Sequence, residues 1–298
     1  PNHVARCYHS ISNPKGVEGF GVQDNIQVGY ARDNNFYYNI GELLTLPASS
    51  IDYIPEEPAL RELLLTPYKE YPAKWTGNSR SSNPALTDWY ETVKLNYGVA
   101  PDGRKDFDTL PQEFARWDTG AHYAFWRSRV VPNTWQKFKE IVSFWLSLGV
   151  DGFRYDMAEM VPVEFWSYLN SFIKSIRPDA FLLAEIYNPD NYRDYLHIGK
   201  MDALYNKVGL YDTLRDIICY EHSTDRIDWT QDTLVDIWPR MLHFLENHDE
   251  QRIASDGFAQ DPRYALPAMA VSTHLNDASV MVYFGQEVGE AARETAGF

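Results

Sequence analysis

Val150-Asp151-Gly152-Phe153-Arg154-Tyr155-Asp156 reads as a short β-strand closed by a carboxylate. Side chains two apart on a strand share a face, so Arg154 and Asp156 project together. Upstream, Trp135, Phe138, Ile141, Val142, Trp145 and Leu148 recur at helical spacing, which predicts one amphipathic helix ended by Gly149. Downstream, Pro162 opens a second helix through about Ile176, and Pro178 stops it. Phe181-Leu182-Leu183-Ala184-Glu185 is the next predicted strand, followed by a short helix after Pro189. Further strands are expected near Asp202–Tyr205, at Met241–Leu245 and at Val280–Phe284. Strands alternating with helices imply an α/β protein with a mainly parallel sheet.

Three of the five predicted strands lead into carboxylates: Asp156, Glu185 and Asp249. In (β/α)8 barrels the chemistry sits at the C-terminal ends of the strands. An open doubly wound sheet places ligands there too. Its dinucleotide fingerprint is missing: Gly16-Val17-Glu18-Gly19-Phe20-Gly21 has the wrong spacing, carries an acid, opens no helix, and reads as a turn.

At 298 residues the chain allows two domains, or one large barrel with an insertion. With 44% apolar and 23% charged residues it has the composition of a globular protein. No apolar run reaches transmembrane length. Twenty-seven basic against 42 acidic residues give a net charge of −15, which argues against nucleic acid or an anionic membrane as partner. Cys7 and Cys219 are too few for a disulfide framework or a cysteine zinc site. Aromatics reach 15%, a content that suits sugar faces, though such rings also fill cores. Residues 6–92 are rich in Asn, Pro, Gly and Ser with little periodicity, the mark of a small subdomain or elaborate insertion. The chain opens on Pro1 and shows no signal-peptide pattern, so it reads as part of a longer polypeptide.

Each acid alone has an ordinary explanation. Asp156 could cap the following helix, Glu185 could be a solvated rim residue, and His248 could be a structural hydrogen-bonder. Together they suggest chemistry. A guanidinium beside a carboxylate favours its ionised form, which suits Asp156 to nucleophilic attack or charge stabilisation. A carboxyl at the end of an apolar strand, near other carboxylates, holds its proton more readily, which suits Glu185 to proton donation. Two carboxylates flanking a glycosidic bond are what glycoside hydrolysis needs. A third acid with histidine donors can grip sugar hydroxyls and stabilise positive charge at the anomeric carbon. No Gly-x-Ser-x-Gly elbow, His-Glu-x-x-His helix or P-loop competes with this reading.

These motifs resemble the α-amylase family of glycoside hydrolases, retaining enzymes built on a (β/α)8 barrel. Asn2-His3 resembles the end of that family's first conserved region, and Gly152-Phe153-Arg154-Tyr155-Asp156 the second. Ala184-Glu185 resembles the third, and Phe244-Leu245-Glu246-Asn247-His248-Asp249 the fourth. Lys94-Leu95-Asn96 matches a weaker extra motif, and Tyr283-Phe284-Gly285-Gln286-Glu287 the stretch after the eighth strand. The order is right: Glu185 stands 29 positions after Asp156, and Asp249 stands 64 after Glu185.

The resemblance implies Asp156 as nucleophile, Glu185 as general acid/base and Asp249 as transition-state stabiliser. It implies Arg154 as the residue holding Asp156, and His3 and His248 as sugar-binding residues. Asn2 matches a calcium ligand in many relatives, which makes Ca²⁺ the implied cofactor. The expected organisation is residues 1–5 as the end of barrel strand 3 and 6–92 as an insertion domain. Residues 93–298 would be the catalytic barrel from strand 4 to strand 8. Tyr37, Tyr38, Trp75, Trp89 and Tyr90 are sugar-stacking candidates in the insertion, with core packing the competing role. A five-strand arc cannot close a barrel, so the missing strands are expected from the rest of the polypeptide or a companion chain. One departure stands out: many relatives carry a Lys-His pair shortly after the nucleophile, where this sequence has Glu159 and Met160. The implied activity is retaining hydrolysis of α-glucans such as starch and maltooligosaccharides. The alternatives are a transglycosylase or isomerase on the same fold and a non-catalytic sugar-binding barrel. A polymer substrate suggests a secreted or periplasmic protein.

Overall fold

The computed structural model describes residues 1–6, 19–47 and 69–292. The chain forms two compact units, Pro1–Asp151 with Met160–Ala180, and Gly152–Glu159 with Phe181–Phe298.

In the first unit β1 (His3–Ala5) pairs antiparallel with β4 (Thr92–Lys94), His3 opposite Lys94. A second antiparallel pair joins β2 (Tyr38–Asn39) to β3 (Ala73–Lys74). Three helices follow: α1 (Thr119–Trp126), α2 (Asn133–Ser147) and α3 (Val163–Ile176). Asp118 caps α1 by accepting the Ala121 N–H at 2.8 Å. Trp126, Trp135, Phe165 and Trp166 are fully buried, and the Trp135 ring meets Trp126 and Phe165 at centroid distances of 5.4 and 5.6 Å. The helical stripe predicted from Trp135 to Leu148 divides. Trp135 and Val142 are buried, whereas Trp145 and Leu148 are exposed. Gly149 follows the helix in the left-handed region at φ +88°, the geometry expected of a helix-ending glycine. Tyr37, Tyr38 and Trp75 are buried, and Tyr37 stacks on Trp75 at 4.6 Å, so these three rings fill a core. Trp89 and Tyr90 are half-buried. Cys7 and Gly16–Glu18 lie outside the described residues; Cys219, in the second unit, is a free thiol.

The second unit is built on five parallel strands in sequence order: β5 (Gly152–Tyr155), β6 (Phe181–Ala184), β7 (Ala203–Tyr205), β8 (Met241–His243) and β9 (Ser279–Val280). Sequential parallel strands are the arrangement of a (β/α)8 barrel arc. The register aligns Arg154 with Leu183 and Tyr155 with Ala184, so Asp156 and Glu185 leave the same edge of the sheet. Gly152 makes this pairing possible, since a Cβ there would sit 2.0 Å from the Phe181 carbonyl oxygen. Between the strands run α4 (Tyr192–His197), α5 (Asp212–Tyr220), α6 (Asp225–Asp232) and α7 (Leu266–His274). The core packs Leu183, Leu210, Leu214, Leu242, Phe244 and Ile253, and Tyr211 stacks on Phe244 at 5.0 Å.

The last strand corrects the sequence reading. It covers Ser279–Val280, not residues 280–284. The Met281 N–H adds one more bond to the His243 carbonyl at 2.9 Å, and the chain then turns at Gly285 (φ +86°). Gln286 closes the turn by donating its N–H to the Tyr283 carbonyl and accepting the Tyr283 N–H on its side chain. Tyr283 and Phe284 therefore belong to a turn. Among the described residues no helix is long and apolar enough to cross a membrane.

Candidate active site

Three acids distant in sequence meet around one guanidinium. Arg154 Nη1 donates to Asp156 Oδ1 at 2.8 Å, as the strand alternation requires. Its Nη2 lies 3.0 Å from Glu185 Oε1 and 3.9 Å from Asp249 Oδ2. The fork thus spans the ends of β5 and β6 and reaches the loop after β8. Partial burial works against the Arg154 charge, but the Asp156 hydrogen bond and the Glu185 charge more than offset it and hold the group above its ordinary range. The Tyr205 ring at the end of β7 lies 5.7 Å from the guanidinium carbon. Three carboxylates against one fixed cation leave the site net negative, suited to positive charge developing in a substrate.

The acids differ in exposure. The side chain of Glu185 is 4% exposed, while those of Asp156 and Asp249 are 49% and 50% exposed. Glu185 Oε2 accepts the Met157 N–H at 2.8 Å, and Oε1 accepts the Tyr187 hydroxyl. Met157 sits at φ +47°, a left-handed conformation that aims its N–H at the carboxylate. The loop after β8 is held internally. Asn247 Oδ1 accepts the N–H groups of Asp249 and Glu250 at 2.8 and 2.9 Å, and His248 Nε2 lies 3.1 Å from Asp249 Oδ2.

Residues 125–296 match the model of the alpha-amylase catalytic domain, a span that contains the whole carboxylate cluster. The chain belongs to the alpha-amylase family. Among curated relatives it is 24% identical to neopullulanase 2 of Thermoactinomyces vulgaris over 157 residues, covering 51% of this chain and 26% of the relative. It is 26% identical to alpha-amylase 3 of Dictyoglomus thermophilum over 201 residues, covering 57% and 37%. Among solved structures it resembles the cyclic α-maltosyl-(1→6)-maltose hydrolase of Arthrobacter globiformis, with a TM-score of 0.54 and 18% identity over 78% of this chain and 44% of that one. That likeness shows the fold, an arc of the (β/α)8 barrel. The chain spans between about a quarter and just under half the length of these relatives.

Two of the residues matched to the family's conserved regions, Asn2 and His3, lie in the first unit. His3 Nδ1 is 2.6 Å from Asn2 Oδ1, and its ring meets Trp89 at 5.3 Å. The Asn2 amide nitrogen donates to the Gly77 carbonyl at 3.0 Å and contacts Met160 Sδ at 3.3 Å. Asn2 is buried, with both ends of its amide engaged by protein atoms. Calcium takes six to eight oxygens. Among the described residues no group of three or more His, Cys, Asp or Glu side chains could hold a metal ion. Among the described residues no cluster of acidic side chains completes the calcium site implied at Asn2, and no step below passes through one.

Sequence reasoning missed the residues that surround the acids. Tyr187 bonds Glu185. Glu159, at one of the positions where many alpha-amylase relatives carry the Lys-His pair, accepts the N–H groups of Tyr187 and Asn188 on Oε2 at 3.1 and 3.0 Å. It therefore pins the turn that carries Tyr187. Lys207 pairs with Asp212 and Glu250 at 3.0 and 2.9 Å and lies 5.9 Å from the Tyr187 ring. Proximity to Ala184-Glu185 was the only signal for Tyr187; the departure from the Lys-His pair marked Glu159 without its role, and nothing in the sequence pointed to Lys207.

Proposed function

We propose that this chain carries the reacting groups of a retaining α-glycoside hydrolase that acts on α-glucans such as starch and maltooligosaccharides. The observation that carries the reading is the single Arg154 guanidinium joined to both Asp156 and Glu185. In retaining enzymes the two working carboxyls stand about 5–5.5 Å apart, a separation suited to two groups sharing one fork.

In this reading Glu185 passes its proton to the glycosidic oxygen as the C1–O bond breaks, the bonding pair leaving with that oxygen. Asp156 forms a bond to C1. Water then attacks C1 and releases Asp156, and its proton returns to the Glu185 carboxylate. Asp249, with His248 beside it, grips ring hydroxyls and faces the oxocarbenium-like charge. His3 is retained as a sugar-binding candidate of the first unit. Transfer to a second sugar uses the same intermediate, and longer products from maltotriose would mark it.

For the domain organisation we propose residues 1–5 as the end of barrel strand 3, 6–92 as the insertion and 93–298 as catalytic barrel; the match over 125–296 falls inside the last. The outer strands β5 and β9 each have a sheet partner on one side only among the described residues. This supports further strands supplied by the rest of the polypeptide or a companion chain.

The test is reducing-sugar release from soluble starch by the full-length protein and its Asp156→Asn variant. The parent is expected to release sugar and the variant to lose at least about a thousandfold in rate; equal rates would remove the reading.

A further inference from the structure

We propose that Tyr187 is a positioning residue that steadies Glu185 through both of its protonation states, an inference that rests on the acid/base role proposed above. A double displacement requires Glu185 to alternate between a carboxyl that gives a proton and a carboxylate that takes one. Three groups meet its oxygens. The Met157 N–H points to Oε2 at 2.8 Å, the Tyr187 hydroxyl to Oε1, and Arg154 Nη2 lies 3.0 Å from Oε1. The backbone N–H and the guanidinium can only donate, so neither can accept the proton that the carboxyl form carries. A phenol hydroxyl has lone pairs as well as a proton and turns about its C–O bond. Tyr187 is therefore the one contact of the three that can donate to the carboxylate and accept from, or turn away from, the carboxyl.

The surroundings keep Tyr187 fit for this. Burial, followed by the hydrogen bond to Glu185, pushes its hydroxyl far above the ordinary phenol range, so it keeps its proton whenever Glu185 is charged. Its backbone is tied to the Glu159 carboxylate at 3.1 Å. The Lys207 ammonium, 5.9 Å from the ring, is neutralised by Asp212 and Glu250 and does not compete for Glu185. Tyr187 touches no reacting atom in this scheme; it acts through Glu185.

The experiment compares the full-length parent with Tyr187→Phe on two substrates, maltotriose and α-maltosyl fluoride. A sugar leaving group needs protonation, whereas fluoride departs with little protonic help. Tyr187→Phe is expected to lower kcat/KM on maltotriose about tenfold or more while changing kcat/KM on the fluoride less than about threefold, because that ratio reports bond breaking before the water step that both substrates share. The alkaline limb of the maltotriose pH profile should also move relative to the parent. Glu159→Gln, which keeps the hydroxyl but loosens the turn beneath it, should shift the maltotriose rate in the same direction by less, and it covers the case in which Tyr187→Phe folds poorly. Equal losses on both substrates, or no loss on either, would overturn the inference. A parent that consumes neither substrate would instead sink the underlying assignment of Glu185, so the two failures are distinct.

Discussion

Arg252 Nη1 lies 2.9 Å from Glu246 Oε2, and both side chains are almost wholly shielded from solvent. The pair closes the base of the loop that presents Asp249. Glu246 Oε1 also accepts the Ile253 N–H at 2.8 Å, and Arg252 donates to the Phe284 carbonyl at 2.7 Å while lying over the Tyr283 ring. One carboxylate thus ties residues 252 and 253 back to the end of the β8 segment. Removing one partner of a buried pair strands the other charge, a cost of about 3–5 kcal/mol. Glu246→Ala is expected to lose stability of that order in urea unfolding and to lower activity by loosening Asp249. A midpoint shift worth under about 1 kcal/mol would show that the pair is not holding the loop.

Arg154 supplies geometry as well as charge. Its two terminal nitrogens engage different carboxylates, a division that a lysine ammonium on a flexible stem cannot reproduce. Arg154→Lys should therefore lower kcat about tenfold or more with a smaller change in KM, because ground-state sugar contacts stay and the alignment of Asp156 with Glu185 is lost. Kinetics on maltooligosaccharides check this. A variant within twofold of the parent would mean that charge alone suffices.

Much of this site is legible in the amino-acid sequence. The strand at Gly152–Tyr155 follows from alternation, and the pairing of Arg154 with Asp156 follows from the strand. The parallel sheet follows from strands alternating with helices, and the common edge for Asp156 and Glu185 follows from parallel register. What escaped was local and three-dimensional. Glu159 carries no periodic signal, since its role is to meet two backbone N–H groups across a turn. The end of β9 escaped because Val280–Phe284 is apolar enough for a strand, while the Gly285 turn and the Gln286 side chain draw Tyr283 out of the sheet.

Met157 offers a backbone test. A side-chain-bearing residue in the left-handed region costs about 1–2 kcal/mol, and more when it is β-branched. Met157→Gly is expected to be no less stable than the parent, since relief of that cost offsets the lost side chain, and to keep the N–H on Glu185. Met157→Val should lose about 1–2 kcal/mol in the same unfolding assay and weaken activity as the N–H moves off Glu185 Oε2. If Val is tolerated as well as Gly, the positive φ is not maintained in solution.

His243 sets a pH dependence of stability whose sign follows from its burial. It lies in β8 with Nδ1 donating to the Ser272 carbonyl at 2.9 Å, which leaves Nε2 as the unprotonated nitrogen. Nε2 is buried without a hydrogen-bond partner among the described residues, so a proton there would place a charge with nothing to accept it. Burial accordingly lowers the His243 pKa below its ordinary 6.5, and the Ser272 contact offsets this only in part. A group whose folded pKa lies below its unfolded value is protonated more readily in the unfolded chain. Its contribution is therefore complete above the ordinary histidine value and is lost as pH falls below it toward the folded pKa, by at most about 1.4 kcal/mol per pH unit. Urea midpoints at pH 7.5 and pH 5.5 measure the loss. His243→Gln, which keeps a donor for the Ser272 carbonyl but cannot titrate, should narrow the gap between the two midpoints even though it begins from lower stability. An unchanged gap in the variant would assign the acid sensitivity to other groups and leave His243 as a packing residue alone.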